Sequence, residues 1–453
     1  MALFQLENRK YYVDEESLTC FRVDDLAYKG LELWIGSGHT MTLEELETQL
    51  LEESYDEASV TECIKDLSRV ISAAQPLPNE NDKLQQICGI ELHVANACNL
   101  GCKYCFAGQG DYGLETSLMT AQTAQRSLDY LVNSSSEDEG LRVVFFGGEP
   151  LLNLDVIEKT IEYANEKYPN RNFSYSTTTN GTLLSDKFIQ MAAQHKIHTL
   201  VSMDGSAKIQ DKLRPFRDGR GTSKTIREGV RKASTTIPLS VRSTITKINT
   251  DLFSETNQFI NMGFSKVFFS PVSTDDPETK IELEDLETIK SELLLLANDY
   301  LERAVSHQPQ VFRAFSDIMT LLMRATKTKI GCGAGRRFVS ILPNGDIYPC
   351  HRFAGMGNYR IGSIFNSDSF GTFSRYWNET VDKRSDCKTC WIRNYCGGGC
   401  YWEAANPDGT ISSARDKKLC DYRRILFEIS VDLLHRLSEI EMDGNELKVV
   451  DNG

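Results

Sequence analysis

The sequence predicts an α/β protein: a partial (β/α)6 barrel between an N-terminal winged helix-turn-helix module and a C-terminal Cys-rich domain. Three observations carry that reading. From about residue 88 to 280 the chain repeats strand, loop and helix six times, the pattern of parallel strands joined by helical crossovers. Residues 1–85 read instead as strands followed by two short capped helices. Seven of the thirteen cysteines fall between residues 332 and 420, a density that random scatter does not give. At 453 residues the chain is also too long for one simple core.

The elements follow in order. "RKYYVDEESLTCFRVD" and "GLELWIG" are read as β-rich runs. Thr42 with Glu45 and Ser59 with Glu62 form capping boxes that open "TLEELETQLLEES" and "SVTECIKDLSRVIS". Leu43, Leu46, Leu50 and Leu51 share one apolar face of the first helix; Val60, Ile64, Leu67 and Ile71 share that of the second. "QPLPNENDK" reads as a linker. Six strands are then expected at "GIELHVAN", "LRVVFFGG", "FSYSTTT", "HTLVSMD", "LSVRSTIT" and "KVFFSPV", with amphipathic helices between them. On this reading residues 1–85 form the first module, 86–280 the barrel, 281–331 a helical bridge, 332–421 the Cys-rich domain and 422–453 a C-terminal helix and tail.

Charge and composition narrow the partners. Residues 1–85 hold 7 Lys/Arg against 18 Asp/Glu, so they supply −11 of the chain's −14. Such a surface repels phosphate backbones, and no nucleic-acid partner is expected. No apolar run approaches the roughly 18–20 residues of a membrane span, and "MALFQLENRK" lacks the pattern of a secretory signal. The expected location is cytoplasmic, with no membrane partner. Thirteen cysteines in such a compartment point to metal or redox use rather than disulfides. Cys20, Cys63 and Cys88 stand alone and read as small buried hydrophobes.

The other ten cysteines carry the chemistry. Cys98, Cys102 and Cys105 follow the first barrel strand with C-x3-C-x2-C spacing, at the rim where β/α barrels keep their active sites. Such a loop can ligate three irons of a [4Fe–4S] cube, or hold zinc with a distant fourth ligand. Polar residues alternate along later strands: Ser240, Arg242, Thr244 and Thr246 on one, Ser174, Ser176, Thr178 and Asn180 on another. A lumen filled only by packing would be aliphatic there, so a ligand is expected inside.

"CNLGCKYCF", with an aromatic before its third cysteine, and "GGEP" after the next strand resemble the radical S-adenosylmethionine (SAM) superfamily. The resemblance implies that Cys98, Cys102 and Cys105 hold a catalytic [4Fe–4S] cluster whose open iron chelates SAM. It implies that Gly147, Gly148 and Glu149 form the loop that meets the SAM amino group. It places Arg242 at the SAM carboxylate, Asn180 and Ser202 near the ribose and Tyr104 near the adenine.

The string Cys332, Cys350, Cys387-x2-Cys390-x5-Cys396-x3-Cys400 and Cys420 could be read as a zinc ribbon by spacing alone. As a whole it resembles the SPASM extension of radical SAM peptide-modifying enzymes, which implies two auxiliary [4Fe–4S] clusters and three in all. By that resemblance Cys387, Cys390, Cys396 and Cys420 close one cluster. Cys332, Cys350 and Cys400 hold the other, one ligand short. Sulfatase-maturing relatives carry a further Cys where this chain has Phe338, and an Asp where it has His351. Both departures count against formylglycine formation.

The segment "KYCFAGQGDYG" resembles the start of the barrel in thioether-forming maturases of ribosomally synthesised peptides, the ranthipeptide (SCIFF-like) and sactipeptide-related group, and the resemblance covers nearly the whole chain. That implies a precursor peptide whose leader is bound by residues 1–85, and an electron donor such as flavodoxin or ferredoxin. The implied reaction joins a Cys sulfur to a carbon of another residue after hydrogen abstraction by a 5′-deoxyadenosyl radical. The rival outcomes with the same clusters are a C–C or C–O crosslink, or an oxidised side chain.

Overall fold

The computed structural model describes residues 1–73, 86–324, 326–366, 380–406, 408, 410–412 and 416–442. The expected linker "QPLPNENDK" and the polar tail lie outside these residues. Strands β1 (Ala2–Leu6), β2 (Arg9–Asp14) and β3 (Thr19–Val23) form an antiparallel sheet, followed by α1 (Asp25–Gly36), α2 (Leu43–Glu52) and α3 (Glu57–Ala73). Side chains alternate across this sheet with the period of two that a pleated strand imposes. Tyr12 is buried against the module's own helices beside Leu3, Phe21 and Val23, while Leu6, Tyr11 and Val13 belong to the main core.

Two local expectations are corrected. "GLELWIG" is the second half of helix α1, not a strand. Asp24 caps that helix by accepting from the Ala27 N–H at 2.7 Å, and Leu31 and Trp34, three residues apart, are buried together. A short apolar run satisfies either period, and here the cap decides. The box at Thr42 and Glu45 forms in both directions, at 3.2 and 2.8 Å. Helix α3, however, starts before Ser59: Asp56 accepts from the Ser59 N–H at 2.9 Å, replacing the expected pair with Glu62.

Beyond the linker come β4 (Gly89–Asn96), the short β5 (Ser117–Leu118), α4 (Ala121–Asn133), β6 (Leu141–Gly147), α5 (Leu154–Lys167), β7 (Phe173–Thr179) and α6 (Asp186–Gln194). They continue as β8 (His198–Ser202), α7 (Ala207–Leu213), α8 (Ser223–Ala233), β9 (Leu239–Ile245), α9 (Leu252–Asn261) and β10 (Phe264–Pro271). Strands β4, β6, β7, β8, β9 and β10 are parallel and bonded in chain order. These are the six strands expected from the sequence. Helices α10 (Leu283–Val305) and α11 (Arg313–Leu322) supply the bridge.

The Cys-rich region is not a separate appendage. Its strand β11 (Phe338–Ile341) pairs parallel to β4 on the free edge of the sheet and leads into antiparallel β12 (Asp346–Tyr348) and β13 (Gly362–Ser363). That covers an edge which would otherwise present open hydrogen-bonding groups. Helices α12 (Ser385–Lys388) and α13 (Arg393–Cys396) precede the long α14 (Lys417–Met442). Since α14 begins five residues ahead of the expected 422, Cys420 lies inside its first turn.

On β7, β8 and β9 one row of side chains is buried against the helices: Tyr175, Thr177 and Thr179; Thr199 and Val201; Leu239, Val241, Ser243 and Ile245. The opposite row holds Ser176, Thr178, Ser202, Ser240, Arg242 and Thr244, which solvent still reaches. The polar alternation seen in the sequence therefore lines an open face. Among the described residues no helix is long and apolar enough to cross a membrane.

Candidate functional site

Cys98, Cys102 and Cys105 sit on the loop that leaves β4, and their thiols lie close enough for each charge to disfavour the others. Burial is the larger effect and keeps all three thiols protonated in the bare protein, with Cys102 pushed up to about 12. Against that, donors are aimed at the sulfurs. The Leu100 N–H reaches Cys98 Sγ at 3.4 Å and the Asn180 amide reaches it at 3.7 Å. The Ala107 and Gly110 amides favour the Cys105 thiolate. The loop is thus arranged to stabilise negative sulfur once a cation offsets the desolvation.

The "GGEP" loop runs directly beneath. Gly147 has φ +124°, and a Cβ there would lie 2.2 Å from the Ala95 carbonyl oxygen; at Gly148 it would lie 2.3 Å from that of Ala97. These glycines let two loops touch backbone to backbone. Gly148→Ala is expected to push the loops apart and cost more than about 3 kcal/mol, seen as loss of soluble protein or of bound iron. Retention of both would show that the contact is dispensable. Glu149 points its carboxylate inward, accepting from the Leu151 N–H at 3.0 Å, the Asn180 N–H at 2.7 Å and the Thr179 hydroxyl at 2.7 Å. Burial still raises it to about 7. Its side chain ties the ends of β6 and β7 together, leaving the loop's backbone to face the cysteines.

Asn180 also donates to Asn99 at 2.8 Å and accepts from Thr182. Tyr104 donates its hydroxyl to Asp204. Arg214 pairs with the same carboxylate at 2.9 Å and lies 5.2 Å over the Tyr104 ring. Its positive charge favours the thiolates of Cys102 and Cys105. Neither Asp204 nor Arg214 was singled out in the sequence. The signal for Asp204 was its place just after a strand, in "SMDG", on the active rim.

Behind Asp204 lies Glu255, accepting from Ser243 at 2.6 Å and from the Gly205 N–H, with its second oxygen unpartnered. Burial raises it from 4.5 to about 8. The folded chain therefore holds this proton more tightly than the unfolded one. Its contribution to stability is complete below pH 4.5 and is lost as pH rises through about 8. Denaturant melts should show stability falling across that window, and Glu255→Gln should flatten the fall. An unchanged slope would refute the assignment.

The remaining cysteines fall into two groups. Cys387 feels the charges of Cys396, Cys390 and Cys420, and Cys332 and Cys350 feel Cys400. Burial raises the thiols of Cys332, Cys350, Cys396 and Cys420, and that of Cys387 to about 11. The Ala334 N–H points at Cys332 Sγ at 3.5 Å, and the Gly398 and Gly399 amides favour the Cys396 thiolate. The two groups adjoin where Gly331 meets Gly397, whose added Cβ would lie 2.1 Å from the Gly331 nitrogen. No three His, Cys, Asp or Glu side chains among the described residues converge on a single-ion site.

One group opens toward the barrel. Cys350 precedes His351, whose backbone N–H and Nδ1 meet the buried Glu91 of β4 at 2.9 and 3.0 Å. The His351 ring lies 4.5 Å from that of Phe146. Half-buried Tyr112, bonded to the Gly147 carbonyl at 3.2 Å, feels the charges of Cys105, Cys98 and Cys350.

Residues 92–262 match the radical SAM superfamily, and residues 332–391 match SPASM, an iron-sulfur cluster-binding domain. Over 165 residues it is 35% identical to the uncharacterized protein MJ0907 of Methanocaldococcus jannaschii, spanning 36% of this chain and 55% of that one. It is 23% identical over 388 residues to the radical SAM cyclopropyl synthase TigE of Paramaledivibacter caminithermalis, covering 80% and 78% of the two chains. To the cysteine-type anaerobic sulfatase-maturating enzyme of Clostridium novyi it is 26% identical over 373 residues, 75% and 94%. Among solved structures, anSMEcpe with bound AdoMet and the Kp18Cys peptide has TM-score 0.64 at 19% identity, covering 78% and 99%. Streptococcus suis SuiB bound to S-adenosylmethionine has TM-score 0.50 at 17% identity, covering 90% and 98%.

The radical SAM and SPASM domains imply [4Fe–4S] clusters and SAM as cofactors. The residues present fit such clusters: thiols in sets, with amide N–H groups already turned toward sulfur.

Proposed function

We propose that this chain matures a ribosomally made precursor peptide by joining a Cys sulfur to a carbon of another residue within it. The observation that supports the reading is the contact between the two cysteine regions: the Phe106 ring, next to Cys105, lies 5.7 Å from the His351 ring, next to Cys350. A carbon activated at the first set and a sulfur held at the second would meet there. On this reading Cys98, Cys102 and Cys105 hold the SAM-binding cluster. Cys387, Cys390, Cys396 and Cys420 close one auxiliary cluster. Cys332, Cys350 and Cys400 hold another, with a place for the substrate thiolate.

When bound, SAM at the first cluster supplies hydrogen-atom abstraction from an unactivated C–H bond. The chain's own residues do the positioning. Asn180 donates to Cys98 and fixes the cysteine loop against the end of β7. Tyr104 is held at the rim by Asp204 and Arg214, and Ser202 stands open beside Arg242 in the register of β8 and β9. Gly147 and Gly148 bring the loop's backbone to the SAM amino group, with Glu149 bracing it from behind.

A peptide substrate is supported by the sulfatase-maturating relative and by the peptide bound to anSMEcpe. The N-terminal module reads the leader as a winged-helix element, its sheet extended by a peptide strand. An electron donor of the flavodoxin or ferredoxin type completes the system.

The test is anaerobic reaction of the reconstituted enzyme with the Cys-containing peptide encoded beside its gene. The product should lose two hydrogens and one iodoacetamide-reactive thiol. Loss of hydrogens with every thiol still reactive would instead assign a C–C or C–O crosslink, a reading the cyclopropyl synthase relative favours.

A further inference from the structure

Arg242 projects from β9 on the row that solvent reaches, and its one side-chain partner is the neutral hydroxyl of Ser270, at 2.9 Å. Among the described residues it makes no ion pair. Its charged and titratable neighbours are two further cations, Arg352 and Arg214, then Cys400 and Tyr422. Both cations are already balanced: Arg214 by Asp204 at 2.9 Å, and Arg352 by Glu403 at 2.9 Å.

Hydrogen bonds fix where this happens. Ser270 holds Arg242, and Ser273 donates to Glu403 at 2.9 Å, which in turn holds Arg352. Two guanidinium groups are thereby tethered within three residues of each other at the end of β10. Arg352 is further clamped between Phe106, at 4.5 Å on the first cysteine loop, and Trp402, at 4.0 Å beside Cys400. A guanidinium that faces like charges and has no carboxylate partner is unfavourably placed, and a planar anion that accepts its paired N–H groups relieves it. SAM's carboxylate is one such anion. It would, however, draw Arg242 toward Cys98, Cys102 and Cys105, and the thiol among its neighbours belongs to the other set.

We infer that Arg242, backed by Ser270 and flanked by Arg352, binds a carboxylate of the peptide substrate beside Cys400, and so selects an acidic group next to the cysteine being modified. The inference rests on the peptide-maturation reading. It adds to that reading a recognised chemistry: an Asp or Glu side chain, or the peptide's own C-terminus.

The test uses the reconstituted, SAM-loaded holoenzyme and two probes. With the Cys-containing peptide encoded beside the gene, Arg242→Gln should raise the peptide KM at least about tenfold, the usual weight of a charge-assisted bond. The SAM dissociation constant should move less than twofold, and Arg242→Lys should recover part of the loss. Replacing the selected Asp or Glu by its amide should reproduce the defect in the wild type and add nothing in Arg242→Gln. If amidating the C-terminus does so instead, the C-terminus is the source. The second probe needs no turnover: N-acetyl-L-glutamate, but not N-acetyl-L-glutamine, should bind the wild type and fail to bind Arg242→Gln by calorimetry. A weakened SAM affinity with an unchanged peptide KM would overturn the inference in favour of the SAM carboxylate. Equal binding of acid and amide probes would overturn it whether or not the peptide is processed. A wild type that binds the acid probe yet leaves the peptide's mass unchanged would refute the maturase reading and keep the anion site.

Discussion

Replacing Cys98, Cys102 and Cys105 together by Ala is expected to reduce reductive SAM cleavage to background and to remove about four of about twelve irons per chain. The remaining irons should stay, because the thiols of the SPASM domain form their own neighbourhoods. The fold should also persist. The Cys98 side-chain atom packed against Gly110 is its Cβ, which alanine keeps, and β4 beneath is fully buried. Circular dichroism and iron analysis on the anaerobic variant separate the two effects. SAM cleavage surviving in a folded variant would disprove the first assignment. A smaller change makes the same point: Asn180→Ala removes the one side-chain donor to Cys98 while leaving all three thiols, so it should weaken cleavage without abolishing iron binding.

What the sequence made legible follows from the range of the interactions involved. The six parallel strands are continuous apolar or alternating runs bounded by turns, and each was found near its observed limits. The cysteine sets were legible as spacing. Contacts made across the fold were not. Tyr104 and Asp204 stand 100 positions apart, and nothing local marks Arg214 as the partner of both. Glu149 was legible as part of a loop, but only the structure shows its carboxylate turned inward to three donors. The pairing of β11 with β4 joins residues about 250 positions apart, beyond the reach of any local pattern. In the first module the misread helix α1 was a matter of competing periods, settled by the Asp24 cap.

Asp432→Ala should unseat the N-terminal module while leaving that module folded. Asp432, 1% exposed on α14, accepts from the Tyr11 hydroxyl at 2.7 Å and pairs with Arg9. Deleting the carboxylate strands the Tyr11 phenol and leaves Arg9 with Glu7 as its acidic partner, at a cost of about 2–4 kcal/mol. The module's separate core, Tyr12 with Leu31, Trp34, Leu46, Leu50 and Leu67, makes no use of that carboxylate. Proteolysis at the junction after residue 73 should therefore accelerate at temperatures where circular dichroism is still native. Asp432→Asn, which keeps the shape and loses the charge, should fall between the two. The same seam contains the loop between Cys390 and Cys396: Trp391 stacks on Phe4, Asn394 donates to the Glu15 carbonyl at 2.7 Å, and Arg393 pairs with Glu15 and Glu16. The Cys390–Cys396 loop and the module thus share one surface, so, if these cysteines hold a cluster as proposed, loss of its iron should loosen the module in the same assay. If Asp432→Ala leaves the cleavage rate and the melt unchanged to within about 0.5 kcal/mol, the seam is a passive contact.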